Sequence, residues 1–465
     1  MSVKRRSCAM TNEDVKKCAA VYRSDARPDG NPLIEALPEQ MVLQQLHDKL
    51  ANYSVLPENV AQLSVARRME LVENLRDIYI PLNFSATIYS LFFRGLRSAY
   101  AGKTAVSITR QMANIGAAIE YEKYEMIPDA ERQADCFSVL GFSGMGKTYT
   151  LNKILGLVPQ VISHTEYCGK EFKQVQITYI RIQCPPNDSP KGACIQILNA
   201  IDGLLGTSLS LEEERKHSNT DMLISRIAQI CTRFCIGAIV IDEIQNIVSM
   251  HTKKPVHESL FVRFLIELSN KTGVCLICVG TPEVGKYFDA VPHLARRTRG
   301  PRIMPLENNE VFAQVLDTFW SQIPLLMLPK LDEGIRDRIY AISEGVIETV
   351  AALLISCTQF AFAHGYEYID EDMIALVAQM EGMYVNKKKA PSKKREAEIL
   401  YEAPKPIQAA KKEVARITRS ETVKRGRPKA KRDEEDVLAM YTECKNEGQS
   451  FVAKLVSSGI AEVVE

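Results

Sequence analysis

The sequence has no long uninterrupted apolar run. None of its apolar stretches approaches the roughly 18 residues that a membrane-spanning helix needs. The N-terminal residues are polar and do not have the pattern of a secretory signal. No internal repeat is visible, which excludes a solenoid or propeller built from repeated units. These absences predict a cytoplasmic protein.

A cysteine framework is also missing. The twelve cysteines are scattered along the chain without regular spacing. Cys275 and Cys278 are separated by two residues inside the apolar stretch "GVCLICVG", where strand alternation places their sulfur atoms on opposite faces. A redox pair or a zinc site is therefore not expected there, and buried free thiols are.

Positive and negative residues are nearly equal in number, giving a net charge of +1, but they are distributed unevenly along the chain. Residues 387–432 contain 17 Lys and Arg against 5 Asp and Glu, a net charge of +12, so the remainder carries −11. A basic segment joined to an acidic body indicates either a polyanionic partner or a solvated linker.

The clearest motif lies in "FSVLGFSGMGKTYTLNKIL", which contains G-x-x-x-x-G-K-[ST] between a short apolar run and the start of a helix. Such a loop turns its amides toward a nucleotide phosphate, Lys147 reaches the β- and γ-phosphates, and the Thr148 hydroxyl binds Mg²⁺. The candidate nucleotide-binding residues are Gly141, Ser143, Gly144, Met145, Gly146, Lys147, Thr148, Tyr149 and Asp242.

A second motif, which is acidic, lies about 95 residues after the phosphate loop. The apolar run "IGAIVI" ends in Asp242 and Glu243. At the carboxyl edge of a parallel strand, Asp242 joins Thr148 in holding Mg²⁺, and Glu243 polarises the water that attacks the γ-phosphate. Away from a phosphate loop, the same pair would be read as a solvated turn. Together the two motifs predict an ATPase.

The order of elements predicts an α/β fold with a parallel sheet. We expect strands at residues 136–140, 175–183, 236–241 and 274–279, separated by helices. The expected domains are a helical N-terminal extension (1–132), a nucleotide-binding core (133–306), a helical lid (307–386), a disordered basic tail (387–432) and a short helical C-terminal segment (433–465).

An α/β nucleotide core followed by a helical lid resembles the AAA+ ATPases, and within them the TnsC/TniB regulators of DNA transposition. The residues that carry the resemblance are "GFSGMGKT" (141–148), "IVIDEIQNI" (239–247), "VCLICVGTPE" (274–283), "HLARRTRG" (293–300) and the lid pattern around "SEGVIETVAALL". The resemblance covers about residues 135–384 and implies ATP and Mg²⁺ as cofactors.

The resemblance also implies roles for residues outside the two motifs. Thr281 matches a polar sensor of the γ-phosphate, although a strand-capping Thr-Pro turn gives the same sequence. Arg297, with Arg296 beside it, matches an arginine finger that acts on a neighbouring subunit's ATP, and Arg299 is the fallback. One departure is that many AAA+ lids carry an arginine after the glycine equivalent to Gly345, where this chain has "VIE" at 346–348.

The family implies subunits that assemble in a ring or filament on duplex DNA and connect a target-selection protein of TnsD/TniQ type to a transposase. Lys191, Arg215 and Lys216 are candidate DNA contacts, with ordinary surface charge as the alternative. In the tail, "VKRGRPKAK" resembles an AT-hook, in which Arg425 and Arg427 enter the minor groove of A/T-rich DNA; a basic linker is the alternative.

Two other functions remain open from the sequence. A replication initiator or helicase loader shares the AAA+ core, but the segment after residue 386 has no pattern for a helix-turn-helix domain. A signalling NTPase scaffold without DNA binding would leave the AT-hook-like segment unexplained.

Overall fold

The computed structural model describes residues 17–23, 30–120, 134–185, 189–216, 218–246, 260–289 and 298–383. The chain divides into two compact units, one of residues 1–324 and 343–355 and one of residues 325–342 and 356–465. The predicted basic tail and C-terminal segment, including Arg425 and Arg427, lie outside the described residues. The predicted domain boundaries stay a prediction.

Five parallel strands form the central sheet of the first unit. They are β2 (Phe137–Gly141), β5 (Tyr179–Gln183), β6 (Ala238–Asp242), β7 (Cys275–Gly280) and β8 (Arg302–Ile303). Their order across the sheet is β5-β6-β7-β2-β8, and each neighbouring pair is parallel. The carboxyl ends of β2, β6 and β7 therefore meet at one edge.

Alternate residues of these strands enter two hydrophobic clusters. Ile239 and Ile241 of β6 belong to one cluster, whereas Ala238 and Val240 belong to the other. A strand covered on both faces is apolar at every position, which explains the unbroken apolar runs in the sequence. Helices on both faces complete the α/β fold that the sequence predicted.

The prediction of one strand at residues 175–183 was wrong. The segment divides at Thr178, whose amide donates to Gln160 O at 2.9 Å. Before this point β4 (Lys170–Ile177) pairs antiparallel with β3 (Val161–Tyr167), and after it β5 pairs with β6. Both halves are rich in β-formers, so composition alone gives no boundary between them.

The second sheet has the order β1-β3-β4, with β1 (Lys17–Ala19) parallel to β3. Tyr22, just after β1, hydrogen-bonds through its hydroxyl to His164 Nδ1 on β3 at 2.6 Å. Gln176 on β4 contacts the other ring nitrogen at 2.9 Å. Burial lowers the pKa of His164, which favours the neutral imidazole that these two contacts use.

The described residues before the core, 17–23 and 30–120, are mostly helical. Their helices are α1 (Pro32–Glu35), α2 (Leu43–Leu50), α3 (Val65–Val72), α4 (Asn83–Tyr100) and α5 (Ala105–Glu120). Helix α4 packs against the sheet, because its Phe92, Leu96 and Tyr100 are fully buried in a cluster with strand residues. The Tyr100 hydroxyl donates to Cys235 O at 3.1 Å.

The core helices are α6 (Lys147–Leu155), α7 (Pro190–Leu205), α8 (Leu209–Arg215), α9 (Thr220–Arg233), α10 (Leu260–Thr272) and α11 (Glu283–Asp289). The segment predicted as a lid contains α12 (Glu310–Trp320), α13 (Glu333–Ser343), α14 (Ile347–Ala363) and α15 (Glu371–Met380). The helical character expected for this segment is confirmed in its described residues, 307–383.

The ten cysteines within the described ranges form no disulfide, as the sequence predicted. Cys275 and Cys278 are both buried in β7 and belong to different hydrophobic clusters, hence to opposite faces. Burial raises the pKa of Cys231 to about 12, so this thiol stays protonated and unreactive at neutral pH.

In the described part of the chain, no single helix is long and apolar enough to cross a membrane. The helices α13 and α14, which are joined by a sharp bend, reach the required length and apolar composition when they are taken together.

Candidate nucleotide-binding site

A cavity of about 570 Å³ lies over the carboxyl edge of the central sheet. One part, here called the phosphate end, is formed by residues 143–149 with Asp242, Glu243 and Thr281. The other part, here called the base end, is apolar and is formed by residues 75–84 with side chains from α12 and α14. All of these residues belong to the first compact unit.

The loop between β2 and α6 has the backbone that its glycines allow. Gly144 and Gly146 have φ angles of +79° and +75°, a region that other residues rarely adopt. Gly141 is required for a different reason, since a Cβ there would lie 2.6 Å from Ile303 on β8. The loop therefore depends on glycine both for its turn and for its close approach to the sheet.

The amides at the start of α6 have no partner in the helix. Thr150 is the first residue whose N–H bonds back into this turn, donating to Gly146 O at 2.8 Å. The N–H groups of Lys147, Thr148 and Tyr149 precede it, and within the described ranges they donate to no backbone carbonyl outside the helix. Three unpaired donors at a helix N-terminus beside a glycine loop suit an anionic phosphate.

Lys147 lies among acidic groups. Its ammonium donates to Phe142 O in the loop at 2.7 Å. Burial lowers the pKa of Lys147, while the carboxylates of Glu243, Asp242 and other nearby residues act against that shift. The Lys147 ammonium therefore lies in the cavity, and among the described residues its hydrogen-bond partner is a backbone carbonyl.

The predicted metal ligands lie next to each other. The Thr148 hydroxyl is 3.3 Å from one Asp242 carboxylate oxygen and 3.5 Å from the other. Nowhere in the described ranges, this site included, does a group of three or more His, Cys, Asp or Glu side chains come together to hold a metal. One hydroxyl and one carboxylate fit Mg²⁺, which takes oxygen ligands, retains waters and relies on substrate phosphates for the rest.

Glu243 and Thr281 are connected through a residue that the sequence did not single out. The side-chain NH₂ group of Gln245 donates to the Glu243 carboxylate, and the side-chain oxygen Oε1 of Gln245 accepts a hydrogen bond from the Thr281 N–H at 3.3 Å. Glu243 has a φ of +56°, unusual for a residue other than glycine, and is exposed. Gln245 therefore ties the candidate general base to the carboxyl end of β7.

The base end is built from segments that sequence reasoning did not connect with the site. The stretch "IYIPLNF" enters it before α4, and Val315, Phe319, Ala351 and Ile355 enter it from α12 and α14. Tyr79 exchanges both backbone hydrogen bonds with Asn52, at 2.8 and 2.9 Å. Since extended backbone alternates, the polar groups of Ile80 point away from Asn52.

Two tyrosines connect the base end with the phosphate loop. The Tyr79 hydroxyl donates to Thr150 Oγ1 on α6 at 2.8 Å and contacts Ser85 Oγ at 3.0 Å. The Tyr149 ring lies 5.2 Å from the Tyr79 ring, and the Lys153 ammonium lies over both rings at 5.3–5.4 Å. Burial raises the pKa of Tyr79, so its hydroxyl stays a hydrogen-bond donor. The only sequence signal for this arrangement is an apolar stretch with Pro81 just before a helix.

The structure thus brings together Ser143, Gly144, Met145, Gly146, Lys147, Thr148, Tyr149, Asp242, Glu243 and Thr281, with Gly141 at the end of β2 behind them. Lys191 near the start of α7 and Arg215 and Lys216 at the end of α8 are exposed and do not line the cavity. Lys216 is 3.5 Å from the buried carboxylate of Glu213. Arg296 and Arg297 lie outside the described residues.

Comparison with known proteins agrees with the site. Residues 130–288 match the family model described as an AAA domain, which covers about a third of the chain. The match includes the phosphate loop, the Asp242-Glu243 motif and Thr281. With the parallel sheet described above, it shows that the fold is a P-loop AAA+ fold.

Several solved structures are similar over most of their length. The Drosophila ORC bound to DNA is 11% identical over 86% of this chain and 88% of that one, with a TM-score of 0.33. The Aeropyrum pernix ORC2 protein in its ADPNP–ADP complexes is 13% identical over 57% and 67%, with a TM-score of 0.35. The Thermotoga maritima RuvB Holliday junction branch migration motor is 14% identical over 58% and 68%, with a TM-score of 0.28. These likenesses are too distant to support a functional conclusion. No curated protein matched the chain.

Proposed function

We propose that this chain binds ATP with Mg²⁺ in the cavity, hydrolyses it, and uses the nucleotide cycle to regulate DNA transposition. The observation that carries the ATPase proposal is the single cavity in which the phosphate loop, the Thr148–Asp242 pair and Glu243 come together. The transposition proposal rests on the TnsC/TniB-like sequence motifs.

The protein groups have separate tasks in this mechanism. The amides at the start of α6 and the Lys147 ammonium hold the phosphates, and Thr148 and Asp242 hold the metal. Mg²⁺, when bound, supplies charge neutralisation to the β- and γ-phosphates. Glu243 accepts a proton from the attacking water once its carboxylate leaves Gln245, and Thr281 contacts the γ-phosphate beside Lys147.

The base end favours a purine nucleotide with a flat apolar base. Its walls are aliphatic and aromatic, from Ile78 and Leu82 on one side and Phe319 and Ile355 on the other. In this proposal the backbone N–H and C=O of Ile80, a residue that lines the base end, bond to the edge of the base. Adenine presents a donor and acceptor pair at N6 and N1, but guanine also carries donors and acceptors on its edge, so the assignment of ATP rests on the AAA+-like sequence motifs.

The first test measures Mg²⁺-dependent phosphate release from ATP and from GTP by the full chain. We expect turnover with ATP, little with GTP, and none in EDTA. A chain that neither binds nor hydrolyses any nucleoside triphosphate would refute the ATPase proposal.

For the wider role, we propose that ATP-bound subunits form a ring or filament on duplex DNA and connect a target-selection protein of TnsD/TniQ type to a transposase. ATP hydrolysis then controls disassembly, with Arg297, or Arg296 beside it, acting on the ATP of the neighbouring subunit.

Mixing Arg297→Ala with Lys147→Ala subunits should restore part of the ATP turnover, because some subunit junctions pair an intact phosphate loop with an intact arginine. No recovery in demonstrably mixed assemblies would argue against action between subunits.

The DNA role is tested by measuring duplex binding with ATP, with ADP and without nucleotide. We expect the protein to bind duplex DNA in the presence of ATP but not with ADP or without nucleotide. Replacing Lys191, Arg215 and Lys216 by Gln should make the DNA affinity less dependent on salt concentration. Lys170 and Lys173 on β4, replaced together by Gln, are a control for loss of surface charge elsewhere on the protein. Absence of DNA binding in every nucleotide state would favour a signalling scaffold, and helicase loading without an effect on transposition would favour an initiator.

The tail makes a sequence-dependent contribution in this proposal. Arg425 and Arg427 would prefer A/T-rich duplex, because the minor groove there is narrow and more negative. Replacing both by Ala should remove the preference for A/T-rich over G/C-rich duplex. An unchanged ratio of the two affinities would reduce the segment to a basic linker.

A further inference from the structure

Both oxygens of the Asp242 carboxylate already have protein partners. Oδ2 accepts a hydrogen bond from Arg181 Nη2 at 2.5 Å, and Oδ1 accepts the Glu243 N–H at 2.9 Å. The carboxylate is also within reach of Thr148. Its side chain is only 7% exposed, so the carboxylate that we assign to the metal is nearly enclosed by protein groups.

Arg181 is fixed from two sides. It lies on β5, opposite Val240 of β6, and so next to the strand that ends in Asp242. Its other terminal nitrogen, Nη1, donates to Asn152 Oδ1 at 2.6 Å. Asn152 stands one helical turn after Thr148 on α6. The four side chains therefore form one network that joins two strands to the phosphate-loop helix.

The pairing has an electrostatic consequence. A buried carboxylate without a counter-charge is costly, and Arg181 supplies that charge permanently because a guanidinium does not lose its proton in proteins. A divalent cation that approaches Asp242 meets this positive charge a few ångströms away. Its binding is disfavoured unless further negative charge arrives with it.

We propose that Arg181 is a positioning residue that serves as the resident counter-ion of the metal-site carboxylate. In the nucleotide-free protein it holds Asp242 and keeps free divalent cations out. The cation then enters together with the nucleotide, whose phosphates provide the negative charge that offsets the guanidinium. This inference rests on the proposed metal role of Asp242.

A purely structural role for the ion pair between Arg181 and Asp242 predicts a different effect of replacing Arg181. If Arg181 only joined β5 to β6 and α6, its replacement would lower the melting temperature and leave metal affinity unchanged. The counter-ion role predicts instead that loss of the guanidinium raises the affinity of the nucleotide-free protein for a divalent cation.

The experiment measures Mn²⁺ binding to the full chain without nucleotide, by the electron paramagnetic resonance signal of the free ion. We expect Arg181→Gln to bind Mn²⁺ about tenfold more tightly than wild type, from the Coulomb energy of a charge this close. Arg181→Lys should resemble wild type because it keeps the charge. The gain should vanish in the Arg181→Gln, Asp242→Asn double variant.

Two further variants make the result specific. Arg94→Gln removes the same charge from an exposed ion pair with Asp135, 3.4 Å apart, and should leave Mn²⁺ binding unchanged. Arg181→Met keeps the aliphatic stem, and it replaces Arg181→Gln if circular dichroism shows that the latter does not fold.

The Mg²⁺ concentration for half-maximal ATP hydrolysis gives a second readout, and we expect it to fall in Arg181→Gln. If the wild type hydrolyses ATP but the Arg181 variants bind Mn²⁺ no more tightly than it does, the counter-ion role is refuted and the ATPase assignment stands. If the wild type shows no metal-dependent nucleotide binding or hydrolysis, the proposed function itself fails.

Discussion

The phosphate end and the base end of the cavity are constructed in different ways. The phosphate end comes from a loop and two strand ends whose residues are close together in the sequence or sit at the same edge of one sheet. The base end joins residues 75–84 to side chains of α12 and α14, more than 230 positions later. Chemistry at the first end is therefore concentrated in short motifs, whereas shape at the second depends on the completed fold.

The largest expected effect separates the two ends completely. Lys147→Ala removes the ammonium at the phosphate end and leaves the base end intact. We expect hydrolysis to fall by about 10³-fold, because a fixed positive charge acts on the phosphates throughout the reaction. Phosphate release is the measurement, and Lys170→Ala on β4 is the control for loss of a lysine. Near-normal turnover by Lys147→Ala would show that the phosphate end is misassigned.

The sequence predicted the phosphate end because its chemistry demands particular residues at fixed spacing. Gly144 and Gly146 are needed for positive φ, and Lys147, Thr148 and Asp242 for charge and metal ligation. The parallel fold followed from apolar runs such as that of β6. The division of residues 175–183 between two sheets did not follow, because strand propensity says nothing about which partner a strand pairs with.

The base end could not be predicted in the same way. Ile78, Leu82 and Phe319 are ordinary apolar residues, and no spacing distinguishes a cavity wall from a core position. Arg181 was missed for a related reason, since a single arginine in a strand shows its role only when the neighbouring strand places Asp242 beside it.

Glu243→Gln should separate binding from chemistry within the phosphate end. The substitution keeps the size of the side chain and leaves Asp242 in place, but removes the general base. We expect hydrolysis to fall by about 10²-fold or more with nucleotide affinity nearly unchanged. A fluorescent ATP analogue reports affinity and phosphate release reports turnover. If turnover is unchanged, another group accepts the proton.

The role of the base end in nucleotide binding is tested by a substitution that places a large side chain in it. Ala351 lines this end from α14, and Ala351→Trp should occupy the space of the base and weaken ATP binding by roughly 10- to 100-fold, the cost of overpacking. Inorganic tripolyphosphate needs only the phosphate end and should bind equally to both proteins. If the variant weakens tripolyphosphate as much as ATP, the two ends are not independent.

The smallest expected effect concerns a carboxylate between the two ends. Glu348, at the start of α14, donates its N–H to Gly144 O at 3.1 Å, so the helix rests directly on the phosphate loop. Its carboxylate is among the groups that oppose the lowering of the Lys147 pKa. The lids that this segment resembles carry an arginine after the glycine equivalent to Gly345, where this chain has Val346, Ile347 and the acidic Glu348.

A carboxylate beside the phosphates opposes nucleotide binding by like-charge repulsion. Glu348→Gln should therefore tighten ATP binding by about three- to tenfold at low salt, with a smaller gain for ADP, which carries less negative charge. Because salt screens an exposed charge, the gain should shrink as ionic strength rises. Glu344→Gln, on the turn before α14 and outside the cavity lining, is the matched control. Equal or weaker ATP affinity in Glu348→Gln would show that the contact with Gly144, rather than the charge, determines what this residue does.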